Sequence, residues 1–123
     1  MSDKNKIWIV DDDKSIRWVL EKALTAGDMQ VVSFDGPNKL LLRLNREKPD
    51  VIISDIRMPD MDGIALINEI KKISPELPVI IMTAYSDLDR AVSAFQSGAF
   101  EFISKPFDVD EVVNLVKRAI KKS

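Results

Sequence analysis

The chain has 123 residues, of which 46% are hydrophobic, and its 18 basic and 20 acidic side chains give a formal net charge of -2. This length and apolar content suffice for one self-supporting core, so we predict a single domain over residues 1–123. The nearly balanced charge argues against direct binding to nucleic acid or to an anionic membrane. Apolar runs are too short to cross a bilayer and residues 1–6 lack a signal peptide's apolar segment, which predicts a cytoplasmic protein.

Two residue types that often carry chemistry are missing from the sequence. There is no cysteine, which excludes disulfides, a thiol nucleophile and cysteine-based zinc sites. There is no histidine, which excludes a Ser-His-Asp triad, an imidazole base and a phosphohistidine within this chain. Any chemistry must rest on carboxylates, hydroxyls and lysine, and such hard oxygen ligands favour Mg²⁺ or Mn²⁺ over softer metals.

Short apolar runs alternate with segments of helical periodicity along the whole chain. The apolar runs predict five strands, at residues 6–10, 30–34, 51–55, from about 78, and 100–103. The periodic segments predict five helices: from Lys14 or Ser15 to Ala26, from the turn at 35–38 through Leu44, from Gly63 to before Ser74, from Ser86 to Gly98, and through Val112 to Ile120. Asp13 is the expected N-cap of the first helix, and Gly27 its end.

This alternation predicts the fold class, a doubly wound α/β sheet. Each return to a parallel strand needs a crossover, which here is a helix, so we expect five parallel strands. The flavodoxin-like strand order 2-1-3-4-5 places the first and third strands side by side at the switch point. The carboxyl ends of the strands, where ligands bind in such sheets, then meet at one edge.

Polar side chains follow four of the predicted strands at that edge. Asp11 and Asp12 follow the first strand, Asp55 ends the third, Thr83 the fourth, and Lys105 the fifth. Carboxylates in one crevice repel each other by roughly 4 kcal/mol per pair at ~4 Å and an effective dielectric constant of ~20. A divalent cation removes that cost, so the sequence predicts a metal site beside Asp55.

The same residues, taken with their neighbours, resemble a known family. Asp11-Asp12, Asp55, Thr83-Ala84 and Lys105-Pro106 together resemble the receiver domains of two-component response regulators, whose fold is CheY-like, and the resemblance covers nearly the whole chain. The stretches SDIRMPDMDG, MTAYSDLD and GAFEFISKPFD look in particular like the branch of the nitrogen regulatory protein NtrC. We therefore expect the receiver domain of an NtrC-type regulator.

The resemblance implies a Mg²⁺-dependent phosphoacceptor. Asp12 and Asp55 would bind Mg²⁺ directly, together with the backbone carbonyl of Arg57, and Asp11 would act through water. Asp55 would accept a phosphoryl group from the phosphohistidine of a sensor histidine kinase. The domain would be a switch rather than an enzyme, although it would take part in its own phosphorylation and slow dephosphorylation.

The resemblance also assigns residues that would respond to the phosphoryl group. Thr83 would donate a hydrogen bond to it, and Lys105, aimed inward by a cis peptide bond before Pro106, would offer its ammonium. In receivers an aromatic residue at the position of Phe102 moves inward when the threonine shifts. This movement would link the site to the face formed by the fourth helix, the fifth strand and the fifth helix.

The fourth helix is the expected moving part. Its polar start at Ser86, together with Thr83, Tyr85 and Phe102, makes up the predicted set of switch residues. We hypothesise that the phosphoryl group shifts a balance between two placements of this helix.

NtrC relatives carry a central ATPase and a DNA-binding domain after the receiver. The implied output is therefore sigma54-type transcriptional activation of nitrogen-responsive genes, through output domains outside these 123 residues. We expect a receiver that stands alone or is excised from a longer regulator, and that dimerises on phosphorylation through its fourth and fifth helices.

Three other functions match this residue set less well. Haloacid dehalogenase-like phosphohydrolases also use Asp, Thr or Ser, Lys and Mg²⁺, but their nucleophile opens a DxDx[TV] motif after the first strand, which the sequence at Asp55 does not match. A flavin-binding flavodoxin needs hydroxyls and amides after the first strand, where this chain has three carboxylates. A binding module without chemistry would not need the complete set of acids, hydroxyl and lysine.

The side chain of Tyr85 gives the first testable prediction. In receivers the positions of Arg57 and Tyr85 line the approach to the acyl phosphate and tune its hydrolysis. Because the tyrosine ring is bulky enough to obstruct water, we expect the phosphorylated chain to lose its phosphoryl group more slowly than a Tyr85→Ala variant. Intact mass spectrometry over time measures both decay rates, and equal rates would contradict the prediction.

Overall fold

The computed structural model describes residues 4–84 and 87–122 of the chain. Strands and helices alternate throughout: β1 (Lys6–Val10), α1 (Lys14–Ala26), β2 (Gln30–Phe34), α2 (Pro37–Leu44), β3 (Val51–Asp55), α3 (Gly63–Ile73), β4 (Val79–Ala84), α4 (Leu88–Gln96), β5 (Glu101–Lys105) and α5 (Val109–Lys122). The predicted bounds of the first three strands and of the first helix are confirmed. None of the described helices combines the length and apolarity needed to span a bilayer.

The predicted bounds of two elements, β5 and α4, are wrong at both ends. β5 extends over Glu101–Lys105 rather than over 100–103, because its pairing with β4 continues until Ala84 lies opposite Lys105. α4 begins at Leu88, since the backbone of Asp87 (φ -109°, ψ 31°) lies outside the α-helical region. Ser86, the predicted start, lies outside the described residues, and the observed α4 is nine residues long.

The five strands form one parallel sheet in the order β2-β1-β3-β4-β5, which confirms the predicted doubly wound fold. β1 and β3 are neighbours, with Val10 opposite Ser54. β3 also pairs with β4, where Asp55 lies opposite Met82. Because all strands point the same way, the residues at the ends of β1, β3, β4 and β5 lie at a common edge of the sheet.

Both faces of the sheet are buried under helices. Alternate strand residues such as Trp8 and Ile52 pack with residues of α2 and α3, whereas Ile7 and Ile53 pack with residues of α1 and α5. All five residues of β3 are buried. Since each fully buried aliphatic side chain contributes about 1.5–3 kcal/mol, the strand that ends in Asp55 is a firmly fixed support.

Aspartate side chains cap two of the helices. Asp13 Oδ1 accepts a hydrogen bond from the Ser15 amide at 2.8 Å, which confirms the predicted N-cap of α1. Asp62 Oδ1 accepts one from the Ala65 amide at 2.8 Å and so caps α3. With this cap, α3 begins directly at the end of the loop that follows Asp55.

Gly63 allows the start of α3 to lie against the end of β3. Its amide donates to the Ile56 carbonyl at 2.7 Å, and a Cβ at this position would lie 2.7 Å from the Asp55 carbonyl oxygen and 2.9 Å from Ile56 Cα. Both are backbone atoms of a buried segment, so no flexible side chain can move aside. Only a residue without a side chain fits there.

We therefore expect Gly63→Ala to lower the free energy of unfolding by about 1–3 kcal/mol through overpacking. Gly27→Ala is the matched control, because a Cβ there has its nearest neighbour at 3.4 Å and the backbone φ is -83°. It should stay within about 0.5 kcal/mol of the wild type. Urea unfolding of both variants measures the difference, and equal stabilities would show that the close approach at Gly63 is not tight.

Candidate functional site

Three carboxylates lie together at the carboxyl edge of the sheet. Asp11, Asp12 and Asp55 each place one oxygen within 4.8 Å of the others. Asp11 is completely buried and Asp55 is 8% exposed, whereas Asp12 faces solvent. A group of hard oxygen ligands with one accessible side suits a divalent cation. The structure thus brings together the three side chains that were predicted to bind a metal.

Backbone hydrogen bonds fix the orientation of the two buried carboxylates. The Asp11 amide donates to the Phe34 carbonyl at 3.2 Å, and Asp11 Oδ1 accepts a hydrogen bond from the Asp13 amide at 2.8 Å. Asp55 Oδ1 accepts from the Ile56 amide at 2.9 Å. Neither carboxylate is therefore free to turn away from the edge of the sheet.

The ammonium of Lys105 joins these two carboxylates. Its Nζ lies 3.1 Å from Asp11 Oδ2 and 3.3 Å from Asp55 Oδ1. The peptide bond between Lys105 and Pro106 is cis, as the family resemblance implies. Lys105 is the last residue of β5, Asp55 the last residue of β3, and Asp11 directly follows β1, so the ends of three strands meet in one contact.

Burial and mutual charge shift the pKa values of Asp11, Asp55 and Lys105. Desolvation raises the pKa of Asp55 and of Asp11 above the ordinary value, and the positive charge of Lys105 opposes this effect without cancelling it. Desolvation lowers the pKa of Lys105, but the charges and hydrogen bonds of the two aspartates together raise it above its ordinary value. The two carboxylates therefore carry an uncompensated electrostatic cost when ionised.

Thr83 lies at the same edge and is completely buried. Its Oγ1 is 3.2 Å from the Ala84 carbonyl and 3.3 Å from the Asp87 carbonyl, so the hydroxyl proton is directed at the segment that leads into α4. The predicted role of Thr83 as a donor to a bound group would require this proton to turn away from that segment.

The side chain of Arg57 forms a contact that sequence reasoning missed. Its Nε lies 2.5 Å from Asp87 Oδ2 and its Nη2 lies 2.7 Å from Asp87 Oδ1, a bidentate pair. The guanidinium holds the pKa of the Asp87 carboxyl below its ordinary value. The partners are 30 positions apart, so no local periodicity could have paired them.

Phe102, the predicted switch aromatic, is half-buried and packs against α4. Its ring lies edge-on to that of Phe95, with 5.6 Å between centroids and an interplanar angle of 85°. Such an edge-to-face pair contributes about 0.5–1.5 kcal/mol beyond its buried area. The other two predicted switch residues, Tyr85 and Ser86, lie outside the described residues.

The raised pKa values of Asp11 and Asp55 give the metal-free protein a defined pH dependence. Each carboxyl loses its proton near pH 4 in the unfolded chain but holds it to a higher pH in the folded chain. The folded state binds more protons in this window, so this contribution to stability falls as the pH rises from about 4 through the raised pKa values. We expect Mg²⁺ to stabilise the protein at neutral pH, because it binds the ionised carboxylates of the folded state.

Asp55→Asn removes one of the two buried charges and tests this explanation. In metal-free buffer at pH 7 we expect the variant to be more stable than the wild type, and to gain less from Mg²⁺. Asp60→Asn is the matched control, because Asp60 is exposed and lies outside the carboxylate cluster. Urea unfolding with and without Mg²⁺ measures these stabilities, and a wild type more stable than Asp55→Asn without metal would refute the explanation.

Comparison with known proteins identifies the family. Residues 7–117 match the family described as Response regulator receiver domain. The DNA-binding transcriptional regulator NtrC of Klebsiella pneumoniae is 61% identical over 113 residues, which are 92% of this chain and 24% of that protein. The chain thus spans about a quarter of the length of this relative.

Solved structures give the same result. The solution structure of the apo receiver domain of nitrogen regulatory protein C is 57% identical, with a TM-score of 0.87 over 95% of this chain and 94% of that one. The BeF3-activated form of that receiver domain is 56% identical, with a TM-score of 0.83 over 98% and 97% of the two chains. The chain therefore belongs to the family of response regulator receiver domains and has the NtrC receiver as a close relative.

Proposed function

We propose that the chain is the phosphoacceptor switch of an NtrC-type two-component system and that Asp55 accepts the phosphoryl group. The observation that carries this proposal is the placement of Asp55 in the three-carboxylate cluster, with Lys105 Nζ 3.3 Å away. A carboxylate with a metal-binding neighbourhood on one side and a cation on the other is suited to attack a phosphorus atom surrounded by charged oxygens.

Mg²⁺, or Mn²⁺ in its place, is the proposed cofactor. Asp12, Asp55 and the backbone carbonyl of Arg57 would hold it directly, and Asp11 would act through water. Bound there, the cation would offset the charge of the carboxylates and of the incoming phosphoryl oxygens. The fit rests on the mutual closeness of the three carboxylates and on the burial of two of them.

The proposed reaction moves one phosphoryl group between two proteins. An oxygen of Asp55 bonds to phosphorus while the bond from phosphorus to the histidine of the sensor kinase breaks, and its electron pair stays on the histidine nitrogen. The ammonium of Lys105, which lies beside Asp55, would then pair with a phosphoryl oxygen instead of a carboxylate oxygen. Slow attack by water would later release inorganic phosphate and restore Asp55, so the domain is a switch rather than a turnover enzyme.

Thr83 provides the proposed connection from the phosphoryl group to α4. A hydroxyl has one proton, so Thr83 cannot donate to a phosphoryl oxygen and to the Asp87 carbonyl at once. Capture of the phosphoryl group would therefore release the segment before α4. Phe102, which touches Phe95 of α4, is the proposed second connection, and Tyr85 and Ser86 lie in the chain between the two.

The proposed output is transcriptional. The similar full-length proteins are named DNA-binding transcriptional regulators NtrC, and the part of them that matches this chain is about a quarter of their length. We propose that this domain acts in the cytoplasm on ATPase and DNA-binding domains outside these residues, in sigma54-type activation of nitrogen-responsive genes. A phosphorylation-dependent dimer through the face of α4 and α5 would carry the signal.

Acetyl phosphate tests the central proposal without a partner kinase. Incubated with Mg²⁺, the chain should gain one phosphoryl group, because Asp55 needs only an activated donor and a divalent cation. Chelation of the metal should abolish the gain, and so should Asp55→Asn. Intact mass spectrometry measures the added mass.

Asp60→Asn is the matched control for this experiment. Asp60 is exposed in the loop between β3 and α3, outside the carboxylate cluster, so this variant should be phosphorylated like the wild type. No added mass on the wild type under any condition would overturn the proposed function. Added mass that persists in Asp55→Asn would move the acceptor to another residue.

A further inference from the structure

Helix α4 is weakly held by its own contacts. Its N-cap residue, Asp87, caps no backbone amide with its side chain. Its buried residues are two alanines, Ala91 and Ala94. Its three large apolar side chains, Leu88, Val92 and Phe95, are 43%, 57% and 40% exposed. Little apolar surface therefore fixes the placement of this helix, and other interactions must contribute.

Two ion pairs join the start of α4 to the loop between β3 and α3. Arg57 of the loop holds Asp87 in the bidentate contact described above. Arg90 in the first turn of α4 places Nη1 3.1 Å from Asp62 Oδ2, at the end of the loop. Each side supplies one arginine and one aspartate. We call these four residues, Arg57, Asp62, Asp87 and Arg90, the reciprocal brace.

The loop side of the brace is firmly attached to the phosphoacceptor strand. Asp62 uses its second oxygen to cap α3, and the next residue, Gly63, donates its amide to Ile56, directly after Asp55. Arg57 follows Asp55 by two positions. The brace therefore connects a fixed support to a weakly held helix.

We propose that the reciprocal brace holds α4 in the placement of the unphosphorylated domain, and that Arg90 and Asp62 are positioning residues that set how often the switched placement is visited without phosphate. This inference rests on the proposed function. The aspartyl phosphate would add negative charge two positions before Arg57 in the chain, and it would compete with Asp87 for the guanidinium. Phosphorylation and loss of the brace would then both favour the switched placement of α4.

The pair of Arg90 and Asp62 offers the clearest test, because neither residue belongs to the carboxylate cluster or the phosphoryl contacts. Both side chains are 39% exposed, so the pair is screened by solvent. An exposed pair of this kind changes an equilibrium by about 1.5- to 5-fold. Such a factor is small for folding but directly visible in a balance between two helix placements.

Four variants separate the brace from local structure. Arg90→Gln removes the cation, and Asp62→Asn removes the anion while keeping an oxygen that can cap α3. Arg90→Lys keeps the positive charge. Asp89→Asn is the matched control, because it removes a charge from an exposed residue in the same turn without touching the brace.

The measurement is the set of ¹⁵N amide chemical shifts of residues 88–96. Wild-type spectra with and without beryllofluoride and Mg²⁺ define a line for each amide, from the free to the bound position. We expect free Arg90→Gln and Asp62→Asn to move along these lines toward the bound position, with about a 1.5- to 5-fold higher switched-to-unswitched ratio. Free Asp89→Asn should stay at the wild-type position, and Arg90→Lys should lie closer to it than Arg90→Gln.

The outcomes distinguish the two proposals. Wild-type amides that do not respond to beryllofluoride and no added mass with acetyl phosphate would remove the proposed function, and the brace with it. A responsive wild type whose Arg90→Gln and Asp62→Asn variants show only changes beside the substitution, off the lines, would overturn the brace alone. The brace would also be overturned if Asp89→Asn moved along the lines as far as Arg90→Gln and Asp62→Asn do. Loss of any charge near α4 would then be enough to shift the helix.

Discussion

Two buried carboxylates that share one lysine ammonium are the constraint on which the rest of the site depends. Asp11 and Asp55 come to the same edge because β1 and β3 are neighbours, and they are buried because helices cover both faces of the sheet. Burial disfavours their ionised forms, and Lys105 offsets only part of that cost. The folded domain therefore carries a site that favours added positive charge, as the proposed binding of a divalent cation beside Asp55 requires.

The site and the proposed moving part differ sharply in how they are fixed. β3 is buried along its full length, and Gly63 locks the following loop against it. α4 buries two alanines, and beside the ring contact of Phe95 with Phe102 it depends on ion pairs made by polar side chains. A change in charge at the end of β3 would therefore meet a rigid support on one side and a weakly held helix on the other, and the helix is the part that we propose to move.

The sequence predicts the parts of this design that follow local rules. Apolar runs and strand-end polar residues are sufficient to predict β1, β3 and the carboxylate cluster, because period and position decide them. The ion pairs of Arg57 and Arg90 are not predictable in this way, since their partners lie 30 and 28 positions away and no spacing marks them. The extension of β5 to Lys105 has the same cause, because the pairing with β4 decides it.

The ion pair and the aromatic pair that hold α4 also differ in how salt affects them. Arg90 and Asp62 are partly exposed, so salt screens their attraction over a Debye length of about 10 Å at 0.1 M. The edge-to-face pair of Phe95 and Phe102 gains its energy from packing and ring quadrupoles, which salt hardly changes. Phe102 has no hydroxyl for a hydrogen bond, so its connection to α4 is of this second kind. We therefore expect the aromatic pair to hold α4 against β5 when salt weakens the proposed brace, so that a change in placement would begin at the start of α4.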